Sequence, residues 1–304
     1  MTALPYDYDK KVSLFDGASN ATNYNNCFNY CYNLTGTLPE GFFAGSPKAS
    51  SFSGCFSNTK ITKVEAGCFK NNTAVTSLSS VFGDITTLET IPEDMCEGCT
   101  ALANVAGMFS GCTSLKGCTK SGDSTIYPIS ADLFRDCKVT KLPHLFQNCS
   151  SLIGVESDFF NNSIYSGATY INVDRIFYNC SSMTEAPLNI IPIFNNLTYS
   201  GKILTAAHMY DGTTSLPEKT IHYFYTDYTD GTVLVEPTFE TSQYTIATRG
   251  MFYNCPWISG ASNLLNAFSI DESNLSDDDI EKVILNNLWG IYGFNNSVTG
   301  LRYE

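Results

Sequence analysis

The chain has 304 residues, 43% of them hydrophobic, which is enough apolar side chain to build a core and excludes a disordered polymer. Its 17 Lys and Arg against 30 Asp and Glu leave a formal net charge of -13, which opposes a phosphate backbone and argues against nucleic-acid partners. No run approaches the ~20 apolar residues of a membrane-spanning helix, and neither phosphate-cradling glycine motif occurs, so no membrane span and no cofactor are expected.

Residues 1–26 carry Tyr6, Tyr8, Val12, Leu14 and Phe15 outside any recurring pattern and are expected to form an N-terminal cap. The first eight residues lack the basic start and apolar core of a secretory signal. Export would need a signal outside them, whereas a protein assembled inside the cell needs none.

From residue 27 the sequence repeats. Phe28-Asn-Tyr-Cys31-Tyr-Asn-Leu34, Phe109-Ser-Gly-Cys112-Thr-Ser-Leu115, Phe146-Gln-Asn-Cys149-Ser-Ser-Leu152, Phe177-Tyr-Asn-Cys180-Ser-Ser-Met183 and Phe252-Tyr-Asn-Cys255-Pro-Trp-Ile258 share one template. Degenerate copies begin at Phe52, Phe69, Phe82, Cys96, Phe134 and Phe160. The steps from Phe69 to Phe82, Cys96 and Phe109 are 13, 14 and 13 residues, so a half-unit is about 13 residues and a full unit about 26.

Each unit has a readable layout. Apolar pairs such as Leu88 and Ile91 or Leu102 and Val105 suit a very short strand. A proline often follows, as in Ile91-Pro92 and Leu142-Pro143, where it ends the strand and opens a single helical turn. Such pieces bury too little area to stand alone, so the coils must stack and share their Phe, Cys and Leu rows.

The units resemble the BspA-like class of bacterial leucine-rich repeats, most closely at Ile91-Pro92 followed by Glu-Gly-Cys99-Thr-Ala-Leu102, and at Met108-Phe109-Ser-Gly-Cys112-Thr-Ser-Leu115. The resemblance spans roughly residues 27–197 and returns at 251–268, departing at the 116–130 insertion and in the block before Met251. It implies an α/β leucine-rich repeat solenoid with short parallel strands, found on bacterial surfaces and used in adhesion.

The expected organisation is a cap over 1–26, a solenoid over 27–198, an insertion over 199–250, and a last repeat with a helical cap over 251–304. In the insertion, residues 219–226 and 232–235 flank Asp230-Gly231, a hairpin turn signal, and predict a β-hairpin. Its Tyr223, Phe224, Tyr225 and Tyr228 are candidate contacts for a protein or carbohydrate partner. Near the C-terminus, Ser276 as N-cap, Asp277, Asp278 and Asp279 in the first turn, helically spaced apolar residues and Gly290 as a stop predict a capping helix.

Twelve cysteines invite a chemical reading, and Cys96-Glu-Gly-Cys99 has the spacing of half a zinc site or a redox pair. Cys99 and Cys112 nevertheless hold one template position in successive half-units, which makes them small buried fillers. Cys27 and Cys118 lie off the template and are expected to be the exposed or paired ones. His144, His208 and His222 have no carboxylate or nucleophile at a motif spacing, and the sequons at Asn148 and Asn179 coincide with the template. The expectation is therefore a non-enzymatic recognition or adhesion protein on the bacterial surface or outside the cell. The alternatives are a bacteriophage virion or fibre component and, behind both, an enzyme hidden in the insertion.

Overall fold

The computed structural model describes residues 1–69, 72–163, 170–186 and 208–216, together with the backbone of four short strands within 202–247. Its elements are short. An antiparallel pair, β1 (Tyr6–Asp7) and β2 (Val12–Ser13), opens the chain. Then β3 (Thr35–Leu38) pairs in parallel with β4 (Lys60–Val64), and β5 (Thr90–Pro92) with β6 (Gly117–Thr119). A 3-10 helix at Ala131–Phe134 and α1 (Phe159–Ser163) precede β7 (Tyr170–Asn172). Beyond it, β8 (Lys202–Thr205) and β11 (Tyr244–Ala247) form one parallel sheet with β7, in the order β11-β8-β7, while β9 (Thr226–Asp227) and β10 (Thr232–Val233) pair antiparallel.

A run of single parallel bridges orders the rest. It joins Asn23 to Ser51, then Ser77, Asn104, Lys141 and Asn172, and the β7-β8-β11 sheet carries it on through Thr205 to Ala247. The first three steps are 28, 26 and 27 residues, and the next is 37 because the 116–130 segment is inserted there. Between bridges, alternate residues of one layer donate their N–H groups to the next: Tyr24, Asn26, Phe28 and Tyr30 to the carbonyls of Ser51, Ser53, Cys55 and Ser57 at 2.9, 2.9, 2.8 and 3.1 Å. The pattern recurs down to Leu142, His144, Phe146 and Asn148, which donate to Asn172, Asp174, Ile176 and Tyr178. The residues between them donate within their own layer, as Cys27, Asn29 and Cys31 do to the carbonyls of Tyr24, Asn26 and Phe28, so each layer satisfies its backbone partly on its neighbour and partly in its own turns.

Five residues after every bridge residue stands one aromatic ring. Phe28, Phe56, Phe82, Phe109, Phe146, Phe177 and Tyr210 form a continuous stack with centroids 5.3, 5.9, 5.9, 5.6, 6.1 and 5.5 Å apart and interplanar angles of 23° or less. The offset-parallel arrangement is favoured because it keeps the negative ring faces from directly opposing one another while burying nearly all their area. The rings, the cysteines and the template leucines join one core that includes Phe43, Phe69, Phe134 and Phe160 from the intervening half-units.

Two features of the stack differ from the sequence expectation. The ring in the second layer is Phe56, with Thr59 in the cysteine position, and not Phe52, which instead stacks on Tyr24 at 5.4 Å. Part of the 199–250 block also follows the template, because Met209-Tyr210-Asp211-Gly212-Thr213 places Tyr210 against Phe177 and buries Thr213.

The expected single-turn helices are, among the described residues, almost all tight turns. The reason is local: the residues two before and two after each stacked ring lie in the left-handed region. They are Asn26 and Tyr30, Gly54 and Asn58, Ser80 and Asp84, Gly107 and Gly111, His144 and Asn148, Arg175 and Asn179, and His208 and Gly212. A left-handed residue every fourth position cannot be part of a right-handed helix, and it explains the Asn and Gly preference in Phe-x-[Asn/Gly]-Cys. The capping helix expected over 276–290, the template copy at Phe252 and the whole of 251–304 lie outside the described residues.

The 116–130 insertion is closed by an antiparallel bridge in which Cys118 N–H donates to the Tyr127 carbonyl and Tyr127 N–H to the Cys118 carbonyl, both at 2.9 Å. A Cβ on Gly117 would fall inside contact distance of the Tyr127 carbonyl oxygen. Gly117→Ala is therefore expected to cost about 1–3 kcal/mol as an overpacking change. Gly83→Ala, whose Cβ would meet the Ser57 hydroxyl at 3.3 Å, the Ser80 carbonyl at 3.4 Å and the Ser80 Cβ at 3.5 Å, should cost less. Urea midpoints of the two variants check this, and equal midpoints would refute the assigned clash.

Candidate functional site

The layers divide residues into inward columns fixed by packing and outward columns free to vary. In the cysteine column, the thiols of Cys112, Cys149 and Cys180 donate to the carbonyls of Phe82, Phe109 and Phe146, each at 3.1 Å. Every one of these contacts reaches back to the preceding ring residue. A thiol fits because it is small, apolar enough for the core and still a weak donor. Burial pushes the Cys99 and Cys112 thiols up to about 12 and those of Cys55, Cys68, Cys96 and Cys149 well above the ordinary value, which leaves them protonated at neutral pH.

Cys96 and Cys99 are thus core thiols, as the template implied. Cys118 departs from expectation: although it lies in an insertion, it is buried, its thiol donating to the Pro128 carbonyl at 3.0 Å, and burial raises it to about 11. Cys27 is exposed, as expected. All eleven described cysteines are free thiols, and no group of three His, Cys, Asp or Glu among the described residues is placed to hold a metal ion.

Two histidines can be placed. His144 Nδ1 hydrogen-bonds Gln147 Oε1. His208 Nδ1 lies 2.9 Å from Asp211 Oδ2, a carboxylate partner that the motif search missed because the two meet only through the left-handed backbone at His208. The edge of the Tyr178 ring also faces the His208 ring, with centroids 6.5 Å apart.

Outward, the early layers present neutral polar groups. Ser51 Oγ donates to Asn25 Oδ1 at 2.6 Å, and the Ser53 and Ser77 hydroxyls are 3.0 Å apart, so hydroxyl and amide groups run from layer to layer along the bridge. On the far side of the first ring, Tyr30 and Tyr32 stand 61% and 59% exposed with centroids 5.7 Å apart. Tyr30 holds φ 59 in a column whose later members are Asn58, Asp84, Gly111, Asn148, Asn179 and Gly212. A β-carbon in that region costs roughly 1–2 kcal/mol, and an aromatic ring there does nothing to relieve it.

Sequence reasoning did not single out this pair; the signal lay in one tyrosine where the repeat otherwise prefers Asn or Gly. The aromatic residues it did single out, Tyr223, Phe224, Tyr225 and Tyr228, lie outside the described residues. Only the β9 and β10 backbone beside them is described.

No protein-family model matches the chain, and no curated protein matches it. Among solved structures, a leucine-rich repeat protein from Bacteroides ovatus is 14% identical, the match covering 83% of this chain and 85% of that one, with a TM-score of 0.20.

Proposed function

We propose that the chain is a leucine-rich repeat solenoid of the BspA-like kind that works as a non-enzymatic recognition or adhesion protein, binding a glycan or protein partner at the bacterial surface or outside the cell. The observation that carries this reading is the exposed Tyr30 and Tyr32 pair, held at a backbone cost the fold does not need. Tyrosine supplies rigid, amphipathic contact area at low entropic cost, and the neighbouring amides and hydroxyls supply uncharged hydrogen-bonding groups. The acidic surface favours neutral or basic partners. Tyr223, Phe224, Tyr225 and Tyr228 are proposed as a second contact patch.

A glycan array and a panel of host surface proteins probed with the full chain test the reading. The expected result is saturable binding that falls at least tenfold in the double variant Tyr30→Asn, Tyr32→Ser, with unchanged urea stability or a slight gain from the relieved backbone. Turnover of any substrate in a hydrolase and glycosidase screen, with no saturable binding, would sink it.

The virion or fibre reading keeps one supporting observation. Eleven free thiols suit a protein assembled in a reducing cytoplasm better than one secreted. Capsid or tail genes beside the coding sequence would favour it, and a lipoprotein signal at the start of the gene would favour adhesion.

A further inference from the structure

We propose that Cys27 and Cys55 form a peroxide-reactive thiol pair, in which Cys27 attacks the oxidant and Cys55 resolves the product to a disulfide. The two hold the same position in adjacent layers, one residue before the stacked rings Phe28 and Phe56. Phe28 N–H donates to the Cys55 carbonyl at 2.8 Å, which fixes the two backbones in register. Neighbouring parallel segments lie about 4.8 Å apart, inside the roughly 4.4–6.8 Å Cα separation a disulfide spans.

Their column otherwise carries Val81, Met108, Leu145, Ile176 and Met209, all buried. Cys55 is sandwiched between layers and has no exposed surface, whereas Cys27, four residues after Asn23 at the start of the bridge ladder, is open to water. The neighbouring Cys55 thiol draws the Cys27 thiol down to about 7, while burial, and then Cys27, push the Cys55 thiol up. An accessible thiolate therefore faces a protected, protonated thiol.

The chemistry balances with a hydroperoxide as the two-electron oxidant. The Cys27 thiolate displaces alkoxide or hydroxide from the peroxide oxygen and becomes a sulfenic acid, the leaving group taking up a proton. The Cys55 sulfur then attacks the Cys27 sulfur, an S–S bond forms, and water leaves with the Cys55 proton. Two thiols are oxidised and one peroxide is reduced. This inference is independent of the proposed recognition role.

The test treats the full native chain with near-stoichiometric hydrogen peroxide, then alkylates it in denaturant. Trypsin should place Cys27 on residues 12–48 and Cys55 on 49–60. The expected result is a linked pair of these two peptides and two fewer alkylated thiols out of twelve. The link should be absent in Cys27→Ser, and Cys55→Ala should accumulate a dimedone-reactive sulfenic acid on Cys27. A link confined to 12–48, which pairs Cys27 with Cys31, or a Cys27→Ser chain that still loses two thiols, would overturn the proposal. So would a Cys27 that stays fully alkylated after treatment. Because Cys27 is at the surface, its serine variant should fold and keep the test decisive if Cys55→Ala does not.

Discussion

Phe109→Ala is expected to destabilise the protein by about 3–5 kcal/mol, the usual cost of deleting a fully buried aromatic side chain. Phe109 stacks on Phe82 at 5.9 Å and on Phe146 at 5.6 Å, with both angles at 12° or less, so its loss opens a cavity against two neighbours at once. The backbone ladder on either side prevents the layers from closing the gap, because Phe109 N–H is committed to the Leu145 carbonyl and Phe82 N–H to the Met108 carbonyl.

Phe28→Ala, at the first rung, removes a ring with a stacked neighbour on one side only and should cost clearly less. Urea titrations followed by circular dichroism report both midpoint and slope. In a layered protein whose stability is a sum of neighbour terms, a mid-stack cavity should also lower the apparent slope as the two halves uncouple. Equal losses at Phe28 and Phe109 would mean that the rings contribute individually and not as a stack.

Raising the pH above about 9 is expected to unfold the chain progressively. Burial lifts the Cys99 and Cys112 thiols from an ordinary value of 9.0 to about 12 and lifts Cys55, Cys68, Cys96 and Cys149 well above it. Below the ordinary value both folded and unfolded thiols are protonated and their full contribution is present. Between about pH 9 and pH 12 the unfolded chain has released protons that the folded chain keeps, so stability falls as pH rises. Each such thiol contributes a slope of roughly 1.4 kcal/mol per pH unit.

Two of them acting over three units would remove roughly 8 kcal/mol, comparable with the whole stability of a typical domain. The urea midpoint measured from pH 8 to pH 11 should drop steadily, and Cys112→Ala should shallow the decline. A midpoint that stays flat across that range would show that the thiols are hydrated in the folded protein.

Much of this was legible from spacing. Phe109, Phe146 and Phe177 with Cys112, Cys149 and Cys180 were identifiable as core rows because a buried position in a stack tolerates few residue types. Substitution within those types hid the rest. Tyr210 and Thr213 fill the ring and cysteine positions without either template residue, the Thr213 hydroxyl donating to the Tyr210 carbonyl at 2.6 Å, and Phe52 mimics the ring position that Phe56 holds. Cys118 looked exposed because it lies in an insertion, yet the Cys118 and Tyr127 bridge folds that insertion back over it. The turns read as helical because proline and acidic residues start helices, and the left-handed residues that forbid one are legal, if costly, for Ser80, Arg175 or Tyr30.

The sequence by itself determined the period and the inward rows, since burial between layers restricts residue choice at every repeat. It also determined the excess of acidic charge. Only the tertiary structure decided which rings stack, which backbone positions turn left-handed, and that Cys27 and Cys55 hold equivalent places in adjacent layers. The reason is that layer contacts join residues some 26 positions apart, and Asn23 at the start of the ladder is bridged on one side only, so identical template positions acquire different surroundings.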